Sequence, residues 1–193
     1  SWALYDWANS PFTTLVITFV FPAYFSQAIV GNEIEGTKLW GYTTSISALV
    51  IAVCSPILGA IADAGGPRKP WLFGFTAICV VGSWMLWYAY PTVDSILWVM
   101  FWVILANIGF ELGIVFNNAM LPDLVVSGRL GRWSGWSWGL GYIGGLAALL
   151  VTLLFFVQAE NPLFDLSKER EDLEHIRIVG PFVAIWFLVF VWP

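Results

Sequence analysis

Gly59-Ala60-Ile61-Ala62-Asp63-Ala64-Gly65-Gly66-Pro67-Arg68-Lys69 holds one of the few charge clusters in the chain, set between two long apolar windows. Leu39 to Ala62 before it and Pro70 to Val93 after it contain no charged residue. A glycine three residues ahead of Ala62-Asp63, then Gly66 and a basic pair, suits a very short loop joining two closely packed membrane helices. The rest of the chain repeats this alternation of uncharged windows and brief polar joints.

Working outward, Trp7 to Asn32 and Trp133 to Ala159 are also free of charge, and between Asp94 and Asp123 the only charge is Glu111. Each window exceeds the ~20 residues a helix needs to cross the hydrocarbon core. A sixth, Ile178 to Pro193, is uncharged but shorter. Apolar residues make up 59% of the 193 and charged ones 11%, too few charges to cover a soluble surface. In lipid the backbone must satisfy itself, so the windows are helices. The sequence predicts an all-α polytopic membrane bundle with helices at about 7–30, 39–62, 71–90, 95–121, 134–157 and 178–193. The set reads as the first six-helix part of a longer protein.

The net charge of −5 is local, drawn mostly from Glu160, Asp165, Glu169, Glu171, Asp172 and Glu174 in the fifth connection. No basic face exists for nucleic acid. Cys54 and Cys79 fall inside apolar windows, where they read as packing residues, with no spacing for a metal or a disulfide. No cofactor motif is present. The first window is too long for a signal peptide and follows Asp6 rather than a basic segment.

Arg68 and Lys69 in the second connection and Arg129 and Arg132 in the fourth place those loops, and the N-terminus, in the cytoplasm by the positive-inside rule. Lys168, Arg170 and Arg177 argue the other way from a long, mostly acidic loop. In that loop Ser167 suits the cap of a short amphipathic helix carrying Glu169 and Glu171, with an irregular external loop as the alternative. Tryptophans near window ends, among them Trp2, Trp7, Trp40, Trp71, Trp133 and Trp136, suit interfacial anchoring.

Polar groups inside apolar spans are the functional pointers, because burying them in lipid is unfavourable. At roughly 100° per residue, Asn107, Glu111, Ile114 and Asn118 share one stripe of the fourth helix, with Glu111 near its middle. Asp6, Ser10 and Thr13 form a matching stripe on the first helix, with Asn9 beside it. Helices three apart in order that both show polar faces fit an inverted three-helix repeat around a shared cavity. Glu111 then reads as a substrate or proton site, since a carboxyl in a low-dielectric cavity titrates nearer neutrality. An interhelical hydrogen bond is its alternative, as a structural ion pair is for Asp6.

The fifth helix carries Gly131, Gly135 and Gly139 on one face and Ser137, Gly141 and Gly145 on another, two small-residue faces for close packing. Gly135-Trp136-Ser137-Trp138-Gly139 also matches G-x-S-x-G, but that motif needs a strand-to-helix turn. An intramembrane serine protease would need a histidine near Ser137, and the only one, His175, belongs to the opposite side of the membrane.

Gly59-xxx-Asp63-xx-Gly66-x-Arg68-Lys69 resembles the signature loop of the major facilitator superfamily, departing from it at Ala64, where a base is usual. Trp2-Ala3-Leu4-Tyr5-Asp6-Trp7-Ala8-Asn9-Ser10, Asn118-Ala119-Met120-Leu121-Pro122-Asp123-Leu124 and Ser134-Gly135-Trp136-Ser137-Trp138-Gly139-Leu140-Gly141-Tyr142 narrow the resemblance. Together they look like the branch related to the vacuolar amino-acid effluxer of autophagy. The resemblance implies a secondary transporter working by alternating access. Two six-helix halves would rock about a central site, with helices 1 and 4 lining the cavity. It implies a conformational latch built on Gly59, Asp63, Gly66, Arg68 and Lys69, with Asp63 and Arg68 in a charge relay with Asp123 and Arg132. The Gly-Pro pair of the family's antiporters is not matched, because Tyr142 follows Gly141. The partners implied are a small-molecule substrate such as an amino acid, the lipid bilayer, and a C-terminal half. The short loops suit a bacterial plasma membrane. A non-transporting membrane scaffold, in which the stripes are packing contacts, is the rival reading.

Overall fold

The computed structural model describes residues 2–64, 67–125 and 128–191. They are almost entirely helical, with no strand among them. Six helices are long and apolar enough to span a membrane: α1 (Leu4–Ile29), α2 (Glu33–Asp63), α3 (Arg68–Tyr88), α4 (Ser95–Leu124), α5 (Leu130–Val157) and α6 (Glu174–Val191).

Several ends differ from those expected of charge-free windows, each for a local reason. α2 starts at Glu33 rather than near Leu39, because Asn32 caps it: the Asn32 side chain accepts the Glu35 N–H at 3.0 Å. Glu33 and Glu35 sit in the first turn, where acidic groups complement the helix dipole. α1 is not uniform. Two stretches, Phe12–Phe19 and Phe25–Ile29, are wound as π-helix. Pro22 lies between them and lacks the N–H of a regular turn. The widened turn also leaves room for Thr18 to donate its hydroxyl to the Thr13 carbonyl at 2.8 Å. α4 is interrupted at Met120, ahead of Pro122.

The five most extensive helix pairings have an internal symmetry, from which the lesser packing of α1 on α2 departs. α1 packs on α5 and α6, α4 packs on α2 and α3, and α3 packs on α6. Exchanging α1 with α4, α2 with α5 and α3 with α6 maps this set of pairs onto itself, as an inverted repeat requires. The seams are built on missing side chains. A Cβ at Gly144 of α5 would stand 2.8 Å from the Trp7 carbonyl oxygen of α1, and one at Gly109 of α4 would stand 2.7 Å from the Phe75 carbonyl oxygen of α3. Only one of the two small-residue faces expected on α5 packs within this chain. Ser137, Gly141 and Gly145 meet α1, whereas nothing lies within 4 Å of a Cβ at Gly131, Gly135 or Gly139.

The tryptophans are also more interior than expected. Trp40 is buried and donates to the Ile17 carbonyl, Trp2 donates to the Asn117 carbonyl at 2.7 Å, and Trp7 stacks on Trp186. Trp133 and Trp136 remain exposed, as anchors would be.

The α5–α6 connection carries no amphipathic helix at Ser167. Its hydroxyl accepts the Glu169 N–H in a tight turn, the Ser167 N–H donates to the Glu174 carboxylate, and helix begins only at Glu174. Arg177, read from sequence as a loop charge, is buried instead. Its Nε donates to the Trp87 carbonyl at 2.7 Å and Nη1 to the Asp172 carbonyl at 3.1 Å. The guanidinium lies over the rings of Tyr90 and Trp87, at 3.8 and 5.0 Å from their centroids. One side chain thus ties the fifth connection to the third.

Candidate functional site

A cavity of ≈ 420 Å³ opens between α1, α4 and α5. α1 contributes Asp6, Asn9, Ser10, Thr13 and Thr14. Positions three, four and seven residues after Asp6 return to its face of the helix, which brings these groups to one wall. Their hydroxyls are anchored to the helix that carries them: Ser10 donates to the Asp6 carbonyl at 2.6 Å and Thr14 to the Ser10 carbonyl at 3.0 Å. Their oxygens stay available as acceptors on the cavity side. α4 supplies Glu111, Ile114 and Asn118 from the same kind of stripe, with Phe110 beside them.

Asp6 is tied across the seam to α5. The Ser137 hydroxyl donates to its carboxylate at 2.5 Å. Ser137 is fully buried there, because Gly141 and Gly145 let α1 approach closely. Glu111 makes no hydrogen bond or ion pair among the described residues, and it stands open to the cavity.

The structure separates Asn107 from its stripe. Its amide donates to the Ser47 hydroxyl of α2 at 2.9 Å, and it does not line the cavity. The polar stripe of α4 therefore serves two neighbours, α2 near Asn107 and the cavity from Glu111 onward. Sequence reading did not select Trp138 and Tyr142, which complete the cavity from α5 with ring centroids 6.1 Å apart. Their signal was available: one turn apart, they lie beside Ser137 and Gly141, next to the face that meets α1.

Just beyond Asn118, at the same end of the bundle as the cavity, Arg68 opens α3 and holds three helix ends together. Its Nε donates to the Ala62 carbonyl of α2 at 2.6 Å, occupying one of the acceptors a helix terminus leaves free. Its guanidinium pairs with the Asp123 carboxylate of α4. Asp63, Lys69 and Arg132 are exposed and take part in no ion pair among the described residues. Nothing lies within 4 Å of a Cβ at Gly59. Gly66 lies outside the described residues.

Ser137 lies in the first turns of α5 and His175 in the first turn of α6. The Ser137 hydroxyl is engaged with Asp6, while His175 Nδ1 lies 3.1 Å from the Ser167 carbonyl oxygen. No nucleophile–base pair is formed. Among the described residues no group of three potential metal ligands comes together.

Six membrane-length helices, three of which line a cavity with polar walls, define an integral membrane protein. Comparison with known proteins says which. The chain belongs to the Vacuole effluxer Atg22 like family, which matches residues 28–131. It is 35% identical over 196 residues to the MFS-type transporter YxiO of Bacillus subtilis (strain 168), a match covering 100% of this chain and 44% of that protein. It is 32% identical over 97 residues to Autophagy-related protein 22 of Coccidioides immitis (strain RS), covering 50% of this chain and 16% of that protein. The chain therefore spans less than half the length of these curated relatives. No solved structure gives a significant match.

Proposed function

We propose that this chain is the N-terminal half of a secondary carrier that moves a small solute, amino acids being the first class to try, by alternating access. The observation that carries this reading is the cavity. Asp6, Asn9, Glu111 and Asn118 converge within membrane-spanning helices, where polar groups are retained for a ligand or an ion pathway. A second six-helix half closes the cavity and rocks against this one. Glu111 couples transport to protons by loading and releasing one as access changes. The N-terminus and the α2–α3 loop face the cytoplasm of a bacterial cell, in its plasma membrane. Arg68 and Asp123 latch one of the two states, with Asp63 and Arg132 engaging as the helix ends move.

Proteoliposomes containing the complete carrier test this. Uptake that rises with an imposed proton gradient, and loses that response on Glu111→Gln, is the expected result. Transport indifferent both to pH and to Glu111→Gln contradicts the coupling. An unchanged rate and unchanged inward/outward balance in Asp123→Asn contradicts the latch.

A further inference from the structure

We propose that the α5–α6 connection is a gate on a second cavity, pinned by Arg177 and biased to open by backbone strain at Leu173. The inference rests on the carrier reading above and adds the element that opens and closes one end of the path.

A cavity of ≈ 710 Å³ lies at the other end of the α1–α5 pair, with Ala23 and Gln27 of α1 and Leu153 and Val157 of α5 in its wall. The same two helices thus line both cavities, the polar one near their starts and this one near their ends. Ala23 and Gln27 are exposed, continuing the open face of α1. Both helices are wound as π-helix here, over Phe25–Ile29 and Leu153–Val157, and such wide turns recur at functional sites. Much of the remaining wall is no mid-span helix but the α5–α6 connection and the first turn of α6. Leu173 and Ile176 line the cavity, and Glu174–Arg177 packs against Val20–Tyr24 of α1 and Leu153–Val157 of α5.

The backbone of that wall is strained. Among the described residues, the non-glycine positions with left-handed φ are Phe164 (67°), Asp165 (50°) and Leu173 (45°), all in this connection. There the Cβ crowds the following carbonyl oxygen. Such conformations persist only where their surroundings over-determine them, and they gather at switch segments. Three ties hold Leu173 in place. The Ser167 N–H donates to the Glu174 carboxylate at 3.1 Å, the His175 N–H donates to the Ser167 carbonyl at 3.3 Å, and Arg177 Nη1 donates to the Asp172 carbonyl at 3.1 Å. Arg177 is itself buried and pinned through Nε to the Trp87 carbonyl at the end of α3. When the three ties part, Leu173 relaxes to extended backbone, and 167–173 leaves the cavity while Arg177 stays on Trp87. The strain released offsets part of the hydrogen bonding lost, so a modest difference in ligand affinity between the two states tips the balance.

The test uses the complete carrier with its two native cysteines changed to Ala, carrying either Gln27→Cys in this cavity or Ile114→Cys in the polar one. A membrane-impermeant thiol reagent is applied from each face. Two substitutions at Leu173 push in opposite directions. Glycine accepts left-handed φ freely, so Leu173→Gly favours the shut gate, and lifting a penalty of this kind shifts the balance about five- to thirtyfold. A β-branched residue is an outlier at such φ, so Leu173→Val favours the open gate while keeping an apolar wall. Leu173→Gly should slow the thiol at 27, labelled from the face that carries the connection, by about five- to thirtyfold. It should speed the thiol at 114 from the opposite face, and Leu173→Val should reverse both changes. The thermal unfolding midpoint checks that each variant is folded; a variant that merely loosened the fold would speed both thiols. Rates at 27 that do not move in opposite directions in the two variants, or a thiol at 114 that does not move against the one at 27, overturn the proposal. Failure of the underlying carrier reading shows differently: the thiol at 114 is then unreactive from both faces before Leu173 is changed.

Discussion

The hydrogen bond between Ser137 and Asp6 is the one polar tie between α1 and α5 at the cavity wall, and a double-mutant cycle measures it. Asp6→Ala removes the acceptor, Ser137→Ala the donor, and the double variant closes the cycle. The bond is 2.5 Å long and joins a fully buried hydroxyl to a half-buried carboxylate. Hydrogen bonds to charged groups contribute about 1.5–3 kcal/mol in soluble proteins. Cycles between membrane helices average only about 0.6 kcal/mol, with a maximum of about 1.7, because the unfolded helices also find partners in lipid. Charge and short length put this pair near the upper end of the membrane range, at about 1–1.7 kcal/mol of coupling. Reversible unfolding of the complete carrier by SDS in mixed micelles gives the four stabilities. Coupling within the ~0.3–0.5 kcal/mol scatter of simple additivity would refute the reasoning. The same variants bear on the protease reading of G-x-S-x-G. If Ser137 were a nucleophile, Ser137→Ala would abolish a hydrolytic activity with no coupling to Asp6.

Two further expectations concern packing. At Gly144 an added side chain meets the Trp7 carbonyl oxygen and, at 3.1 Å, its Cα. The backbone of α1 cannot swing aside as a side-chain tip could, so Gly144→Val should destabilise by about 1–3 kcal/mol and distort the α5 wall. The same unfolding assay reads the first effect, and changed aqueous reactivity of a thiol at Ile114 the second. Arg177→Ala should destabilise by about 1–3 kcal/mol, since it leaves the half-buried carbonyls of Trp87 and Asp172 without their partner. Arg177→Lys should recover less than half of this, because an ammonium lacks the planar fork that lies over Tyr90 and reaches two carbonyls. Thermal unfolding of the three forms decides it.

How much of this was legible in the sequence differs between fold and site. Four spans stood out because an absence of charge over ~20 residues has few physical outcomes other than a membrane helix, and the fourth and sixth, one holding Glu111 and one shorter, followed the same alternation. The start of α2 was missed because its first turn is charged, and what makes it helical is the Asn32 cap rather than hydrophobicity. On the site, helical periodicity placed Asp6, Asn9, Glu111 and Asn118 on faces, and the structure brings those faces to one cavity. It could not separate Asn107, because a stripe fixes a face but not the neighbour it meets at each level. It passed over Trp138 and Tyr142 because that stretch of the fifth helix was read through its small residues, as packing faces. The burial of Arg177 was beyond reach for another reason. Its partners are backbone carbonyls of Asp172 and Trp87 and the ring faces of Trp87 and Tyr90, which leave no mark in residue spacing.

Access to the cavity is the property everything else depends on. With Cys54 and Cys79 replaced by Ala, a single thiol is placed at Ile114, on the cavity wall, and another at Val103, 1% exposed in the core of the same helix. The complete carrier is then treated with a membrane-impermeant thiol reagent from each side in turn. Alternating access predicts that the thiol at 114 reacts from both sides while the one at 103 reacts from neither. Protection of the thiol at 114 from both sides would mean that the polar stripes are packing contacts of a scaffold, and would contradict the account.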